Sequence, residues 1–290
     1  MSGLLLLEQL LNGLQLGVML FLMAAGLTLV FGIMNLVNLA HGSLYMMGAY
    51  FAATLYQHTG HFGLALVLAF AATLLLGVVV EVVAIRTFYR RDHLDQVLAT
   101  FGLILFFNEM AKIIWGPQAF FMPVPASLDG AVEIIPGAPY PMIRLAIIGV
   151  GLVVAVGLYL LIGRTRLGML IRAGASNRTM VEALGVNITL LYTFVFGLGA
   201  ALAGLAGTMA GPLLAVQPGM GDGVLILTLV CIVIGGIGSI RGALIGALLV
   251  GLVDTFARML LPAAVAEMSI YLLMAAVLYW RPQGLFPAHG

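Results

Sequence analysis

The sequence predicts an all-α, polytopic bundle of about eight or nine transmembrane helices. Hydrophobic residues make up 63% of the 290 positions and charged residues only 8%, whereas soluble domains are about 45–50% apolar and about 25% charged. So few charges cannot cover the surface of a soluble core of this size. We therefore expect the outer surface of the bundle to face lipid.

Long apolar runs are the second observation behind this prediction, because a helical span needs about 20 mostly apolar residues to cross about 30 Å of hydrocarbon. No run alternates polar and apolar residues as strands do, which argues against a lipid-facing barrel. Some runs are short or share a break, so the count stays at eight or nine. In chain order the candidate runs are 10–34, 43–57, 63–86, 95–115, 143–162, 189–212, 224–240, 242–261 and 265–280.

Two segments outside the runs differ in charge. Residues 116–142 hold six of the eleven prolines, among them Pro136, but no Lys or Arg. This composition predicts a stiff loop outside the membrane. Residues 163–188 form the most basic segment, with Arg164, Arg166, Arg172 and Arg178.

The charge asymmetry predicts an orientation, because Lys and Arg accumulate in cytoplasmic loops. With residues 163–188 inside, nine of the twelve basic residues, including Arg90, are cytoplasmic. Residues 116–142 are then periplasmic, the turn at 217–222 is external and the carboxyl terminus is inside. The side of the amino terminus stays open, because residues 10–57 can cross twice, or once with a re-entrant break.

The composition and the motifs exclude several classes of function. A net charge of +1 offers no basic surface for nucleic acid, and the single cysteine, Cys231, excludes an intrachain disulfide. HExxH, GxSxG, GxGxxG and Walker A motifs are absent from the sequence. We therefore predict no catalytic residues, no metal and no cofactor, and any ATP used for transport must bind another chain.

Glycines at four-residue spacing predict close contacts between helices, since lipid provides no hydrophobic drive for association and small residues let backbones approach. The same glycines would also suit a hinge. The predicted packing residues are Gly207, Gly211, Gly238, Gly242 and Gly246.

The stretch "NLVNLAHG" (35–42) introduces three polar side chains between the first two apolar runs. On a helix, both asparagines and Tyr45 would share one face, with His41 at its edge. One interpretation is that these side chains bond a neighbouring helix or cap a break; the other is that they line a path for a neutral solute. The path candidates are Asn35, Asn38, His41, Tyr45 and Asn108.

The acids near the runs provide weak support for an ion-coupled carrier, which would need an unpaired acid deep in the bilayer. Glu81 is the best candidate, but it lies close to Arg86 in sequence, which favours a position at the membrane surface. Glu109 and Asp254 each precede a basic residue by three or four positions, so each can pair within its own helix.

Residues 163–188 also predict a short helix on the membrane surface that ends near Gly185. Such a helix either lies on lipid headgroups or fits a groove in a partner. Because its small residues offer little apolar bulk for insertion, we favour a partner.

Four separated stretches resemble permease subunits of the branched-chain amino-acid ABC importers, the LivH/LivM family. They are "GLTLVFGIMNLVNLAHGSLYMMGAY" (26–50), "RTRLGMLIRAGASNRTMVEALGVN" (164–187), "FGLGAALAGLAGTMAGPL" (196–213) and "VIGGIGSIRGALIGALLVGL" (233–252). Their order and spacing extend the resemblance over nearly the whole chain.

The resemblance implies a multi-pass permease of a bacterial inner membrane, importing branched-chain or other hydrophobic amino acids. Its implied partners are a second homologous permease subunit, two cytoplasmic ATP-binding subunits and a periplasmic substrate-binding protein. The segment 172–185 would be the coupling helix that docks into an ATPase subunit. Residues 181–184 depart from the alanine-rich loop of many ABC importers. The implied coupling residues are Arg172, Ala173, Asn177, Arg178, Glu182, Ala183 and Gly185.

Three alternatives stay open at this stage. The same architecture can import urea, short amides or aromatic acids, since a separate binding protein selects the cargo. A secondary transporter or channel working alone would instead depend on an ion gradient. A purely structural membrane subunit would tolerate replacement of Glu182 or Arg172.

Overall fold

A computed structural model describes residues 3–89, 91–135 and 138–286 of the chain. Within these ranges the protein contains eleven α-helices, a short 3-10 helix (Ile85–Phe88) and one short β-hairpin, so the all-α prediction is confirmed. Seven helices are long and apolar enough to cross a membrane. Arg90 and Pro136, assigned above to loops, lie outside the described residues.

Each of the nine predicted apolar runs corresponds to a helix of its own. Besides the seven long spans, these are a 19-residue helix, α2, and a 16-residue apolar helix, α9. The remaining two helices, α6 and α7, lie between α5 and α8. The helices are α1 (Gly3–Met34), α2 (His41–Thr59), α3 (Phe62–Val83), α4 (His93–Trp115), α5 (Met142–Arg164), α6 (Arg166–Ser176), α7 (Arg178–Ala183), α8 (Ile188–Ala210), α9 (Met220–Gly235), α10 (Ile240–Leu260) and α11 (Ala263–Trp280), and the strands are β1 (Ala131–Ile135) and β2 (Ala138–Pro141).

Helices α1 and α8 form the centre of the bundle, whereas α4, α5 and α11 lie at its edge. Most of the apolar part of α1 and α8 is buried, and α11 is the least buried span. The edge helices keep large apolar side chains exposed, such as Val153 on α5, which is 73% exposed. Lipid or another membrane subunit must cover these faces.

Contacts at the two ends of α1 identify the two faces of the bundle. Near its start, Asn12 accepts hydrogen bonds from Tyr140, at the end of the 116–142 loop, and from Arg144, just after that loop. Near its end, the Ile33 carbonyl accepts a hydrogen bond from Tyr192 at 3.5 Å, and Ile33 packs near Gly174 of α6. We call the first the loop face and the second, which carries α6 and α7, the coupling face.

The helices α1–α4 and α8–α11 form an inverted repeat. Gly77 of α3 packs against Ala200 of α8, and Thr73 lies beside Gly204, so these two helices are antiparallel. In the matching pair, Gly17 of α1 packs against Leu248 of α10, again in antiparallel fashion. The first repeat thus starts at the loop face, and the second starts at the coupling face.

The direction of the helices shows how many times residues 10–57 cross the bundle. Residues 35–59 lead the chain back from the coupling face, so the first apolar region crosses twice. The start of α1 therefore lies at the loop face, and α11 ends at the coupling face, where Leu285 and Phe286 donate backbone hydrogen bonds to the last carbonyls of α9 at 2.9 and 2.8 Å.

Candidate functional site

The second helix of each repeat begins inside the bundle, after a stretch without helical structure. Residues 35–40 and 211–219 form these two breaks. The two helices then begin side by side: a methyl group on Gly42 of α2 would lie 2.6 Å from the carbonyl oxygen of Gly221 of α9. Only glycine fits this contact. We call the meeting point, residues 38–45 and 219–225, the junction.

The junction lies about halfway between the two faces. His41 Nε2 is 3.1 Å from the carbonyl oxygen of Met23, and Met23 lies midway along α1 between Asn12 at the loop face and Ile33 at the coupling face. At about 1.5 Å of rise per helical residue, each face is roughly 15 Å away. The external turn predicted at 217–222 is wrong in this respect, since its last residues reach the middle of the bundle.

Buried polar side chains surround the start of α2. Asn38 is 1% exposed, and His41 and Tyr45 are fully buried. Among the groups that the structure describes, both amide atoms of Asn38, Nδ1 of His41, Oγ of Ser43 and the Tyr45 hydroxyl lack a hydrogen-bond partner. A buried polar group without a partner costs about 1–3 kcal/mol. These side chains are therefore not there for the stability of this conformation.

The structure separates Asn35 from the other path candidates. Residues 35–40 are not helical, so the shared helical face predicted for Asn35 and Asn38 is wrong. Asn35 instead ends α1: its φ of 51° is left-handed, and its backbone N–H donates to Phe31 at 2.9 Å. It is exposed, near the coupling face.

Asn108 is brought to the junction from a different helix. Its Oδ1 accepts a hydrogen bond of 3.1 Å from the backbone N–H of Gly219, the residue before α9. Asn108 on α4 thus satisfies one of the free N–H groups of the α9 amino terminus. Four of the five path candidates, Asn38, His41, Tyr45 and Asn108, lie at the starts of the two internal helices.

The burial of Asn38, His41 and Tyr45 bears on the two interpretations of this stretch. The chain's own helices enclose these three side chains, and in the described residues only His41 makes a side-chain hydrogen bond, to the Met23 carbonyl, so the contacts within the subunit do not decide between the two interpretations. Path lining stays a prediction for them.

The predicted packing glycines lie at close helix contacts or at a turn. An added methyl on Gly207 would overlap the Tyr45 carbonyl, one on Gly246 would overlap that of Cys231, and one on Gly242 that of Gly235. Gly211 packs against Met122, where the same methyl would lie 3.0 Å from the sulfur. Gly238, with a φ of 83°, lies in the turn before α10 rather than in a helix.

The predicted coupling helix is divided in two at Asn177. This residue ends α6, and its side chain accepts a hydrogen bond from the Met180 N–H at 3.0 Å to begin α7. Gly185, with a φ of 86°, follows α7 as the predicted helix stop. Arg172, Asn177, Arg178, Glu182, Ala183 and Gly185 are exposed, and Ala173 is half-buried.

Two apolar side chains on this segment were missed by the sequence reasoning. Met180 is 62% exposed and Leu184 is 75% exposed, whereas Val181 between them is buried against the bundle. The sequence contains a signal for them, since Met180 and Leu184 are apolar residues four positions apart in a polar segment. Met180 and Leu184 form an apolar knob on the coupling face.

Glu81 is a buried acid whose charge is fully paired. Its carboxylate accepts hydrogen bonds from Arg86 at 3.0 and 3.2 Å, from Thr193 at 2.8 Å and from Tyr89 at 2.5 Å. Glu81 is 0% exposed. Thr193 lies in the second turn of α8, so this cluster ties the end of α3 to the start of α8.

Tyr89 extends the Glu81 cluster towards the end of α1. Its ring packs edge-on against Tyr192 with centroids 5.2 Å apart, and Tyr192 bonds the Ile33 carbonyl. Burial raises the pKa of Tyr89 well above its usual range, and the hydrogen bond to Glu81 raises it further. Tyr89 therefore keeps its proton at physiological pH and remains a donor to Glu81.

Long apolar spans, two internal helix starts and an exposed surface segment define a class of protein. Internal helix starts near the middle of the membrane are typical of transporters, where they form substrate sites. The chain is a multi-pass membrane protein of this transport class.

Comparison with known proteins gives the family. The chain belongs to the family of the branched-chain amino acid transport system permease component, whose model matches residues 9–278. Similar proteins include the high-affinity branched-chain amino acid transport system permease BraD of Pseudomonas aeruginosa, 32% identical over 96% of this chain and 95% of that protein. LivH of Escherichia coli K12 is 28% identical over 96% of this chain and 94% of its own length. A probable LivH of Methanocaldococcus jannaschii is 28% identical over 92% of this chain and 88% of its own length. No solved structure matches the chain.

Proposed function

We propose that the chain is a permease subunit of an ATP-driven ABC importer that moves branched-chain or other hydrophobic amino acids across a bacterial inner membrane. The single observation that carries this proposal is the family match over residues 9–278. The named relatives are branched-chain amino acid permeases, and most of their length aligns with this chain. Their names support branched-chain amino acids as the proposed cargo.

In the proposed orientation the coupling face is cytoplasmic. The arginines of residues 163–188 support it, since basic residues accumulate on that side. The loop face, with residues 116–142 and the amino terminus, is then periplasmic. A substrate-binding protein delivers the amino acid there.

The coupling segment is the proposed contact with the ATPase subunits. Its apolar knob, Met180 and Leu184, is too exposed for a free aqueous surface, and an apolar helix face in a partner's groove is a common mode of docking. Gly174 of α6 packs near Leu191 of α8 and Ile33 of α1. A shift of the segment would therefore reach both central helices of the bundle.

The second permease subunit is proposed to complete the path. The junction side chains of α2 are enclosed within this subunit, so a continuous path through one chain alone has little support. A path between two homologous subunits needs only one polar face from each.

The contacts of Glu81 argue against the alternative of a stand-alone, ion-coupled transporter. Glu81 accepts hydrogen bonds from Arg86, Tyr89 and Thr193, so it is not the unpaired acid deep in the bilayer that such a carrier would need. The enzymatic step, ATP hydrolysis, is assigned to the partner subunits.

Uptake of labelled leucine tests the proposal, using the complete transporter reconstituted with its binding protein in vesicles. We expect uptake that needs ATP inside the cytoplasmic compartment and persists when ionophores abolish the ion gradients. Uptake that follows the ion gradient and persists without the ATPase subunits would contradict it. A response to urea alone would retain the architecture and replace the cargo.

Replacing Met180 and Leu184 with serine tests the coupling role. We expect the variant to fold and to lose most of its ATPase subunits on purification, because the knob supplies the apolar part of the contact. A matched control is Leu167→Ser, which removes an exposed apolar residue from the start of α6. Equal ATPase recovery in the two variants would contradict docking through the knob.

A further inference from the structure

Asp222 is an exposed acid at the start of α9. It is the third residue of the helix, and its carboxylate lies over the helix amino terminus, where a methyl on Gly219 would be 3.5 Å from Oδ2. The positive end of the helix dipole stabilises a carboxylate in this position. The chain can therefore hold a negative charge here without a basic partner.

Asp222 lies near the middle of the membrane. It follows Gly221, which packs against Gly42, and His41 bonds the carbonyl of Met23 at the midpoint of α1. A carboxylate at this depth does not face lipid, because ionisable side chains within the membrane face a protein interior or a water-filled cavity. Since Asp222 is exposed on this subunit, something other than lipid must adjoin it.

The surroundings of Asp222 differ from the lipid-facing surfaces. In the part of the chain that the structure describes, Asp222 forms no ion pair with Lys or Arg, as is also true of Glu267 on α11, whereas the buried acids Glu81 and Asp254 pair with Arg86 and Arg258. Beside it are half-buried Asn108 and exposed Gly223, and a methyl on Gly223 would meet nothing within 4 Å. The surface immediately beside the carboxylate is therefore open, although Ile226, one turn further along α9, is an exposed apolar side chain.

We propose that Asp222 lines the translocation path and that its carboxylate pairs with the ammonium group of the substrate as it passes the junction. This inference rests on the proposed function and narrows its substrate class. A carboxylate that lacks a basic partner in its own subunit favours a cargo that carries a positive charge, as every amino acid does. Urea and short amides lack that charge, so the site selects against them.

Thiol labelling tests where Asp222 faces. Asp222→Cys and the matched mid-span control Val153→Cys are each placed in a Cys231→Ala background in the complete transporter; Cys231 itself is buried. A thiol reacts through its thiolate, which forms in water and not in lipid, so we expect a membrane-impermeant maleimide to label position 222 about tenfold faster or more. Equal labelling of both positions would overturn the path assignment.

Transport by Asp222→Asn tests the role of the charge. We expect kcat/KM for leucine uptake to fall about tenfold, the loss typical of one charge-assisted contact, while Asp222→Glu restores part of it. Subunit recovery should match the unmodified transporter. Unchanged leucine uptake would overturn the proposal. It would also be overturned if Asp222→Asn separated the two permease subunits, or if the variant lost only the uptake that is driven by an ion gradient.

The two proposals fail in different ways. If the unmodified transporter takes up no amino acid with ATP, the proposed function fails. The labelling contrast between positions 222 and 153 is independent of the cargo, so it still decides whether Asp222 faces water. If ATP-driven leucine uptake is normal in both the unmodified protein and Asp222→Asn, only the role of Asp222 fails.

Discussion

Two acidic residues of this protein lie in opposite settings. Glu81, at the coupling-face end of α3, is fully buried and accepts four hydrogen bonds from three side chains. Asp222, at the junction, is exposed and has no basic partner in the described part of the chain. The first charge is satisfied by the fold itself, and the second is satisfied only by the dipole of its own helix and by whatever lies outside the subunit.

Whether its own chain satisfies a carboxylate indicates the role of that charge in a membrane protein. An acid that its own chain satisfies contributes to the fold, and its removal affects folding first. An acid that its own chain leaves open is costly to retain in the membrane and has its use elsewhere.

The largest expected effect is that of Glu81→Ala. Removing the buried carboxylate leaves the hydroxyl groups of Tyr89 and Thr193 without their acceptor, and a buried polar group without a partner costs about 1–3 kcal/mol; Arg86 is partly exposed and can be hydrated instead. Thermal unfolding of the purified protein in detergent measures the loss. Asp222→Ala in the same assay should change stability by less than about 1 kcal/mol, as exposed substitutions do. Similar losses of stability for Glu81→Ala and Asp222→Ala would show that the two acids do not differ in their contribution to the fold.

Glycines on the two sides of α9 provide a second contrast. Gly221→Ala places a methyl against the backbone of Gly42, and such overpacking costs about 1–3 kcal/mol. Gly223→Ala, two residues further on, faces open space and should gain up to about 1 kcal/mol from helix propensity. The midpoint of thermal unfolding should fall for the first variant and not for the second; equal midpoints would mean that the junction is looser than the structure shows.

Asn38→Leu tests whether the buried amide at the start of α2 serves stability or transport. Because both amide atoms of Asn38 lack a partner in the described residues, we expect stability to be retained or to rise by about 1 kcal/mol. Leucine uptake should nevertheless fall, if the amide finds its partners in another state of the transport cycle. Joint loss of stability and ATPase assembly would instead make Asn38 a bond between helices.

Thr193→Val trims the Glu81 cluster without removing a charge, so its expected effect is smaller than that of Glu81→Ala. The valine is nearly isosteric and removes one hydrogen bond to the carboxylate, so we expect a loss of about 1–2 kcal/mol in the same unfolding assay. A loss as large as that of Glu81→Ala would show that the tie to α8, rather than the ion pair, stabilises the cluster.

The spans could be predicted from the sequence because bilayer thickness fixes their length. Each apolar run corresponds to a helix, including the 16-residue α9, although α1 begins seven residues before the predicted run and α9 ends five residues before its predicted end. Gly185 as a helix stop follows from the same local chemistry. These features depend on residues that are close in the sequence, so no knowledge of the packing is required.

The junction could not be predicted, because it depends on contacts between distant residues. Nothing local indicates that Gly42 meets Gly221 or that Asn108 caps α9. The helical face assumed for Asn35 and Asn38 was wrong because the left-handed backbone at Asn35 ends the helix first. Asp222 appeared to belong to an external turn until the contacts of its neighbours placed it at mid-membrane depth.

The inverted repeat gives the two breaks equivalent positions on opposite sides of the membrane. In this structure the α2 start is sealed and the α9 start is open. Since the two halves have the same design in opposite directions, exchanging which one is sealed converts an opening towards one compartment into an opening towards the other. A state in which Asn38 and His41 are wet while Asp222 is dry would be the counterpart of the present one, and labelling at positions 38 and 222 should then respond to ATP in opposite directions.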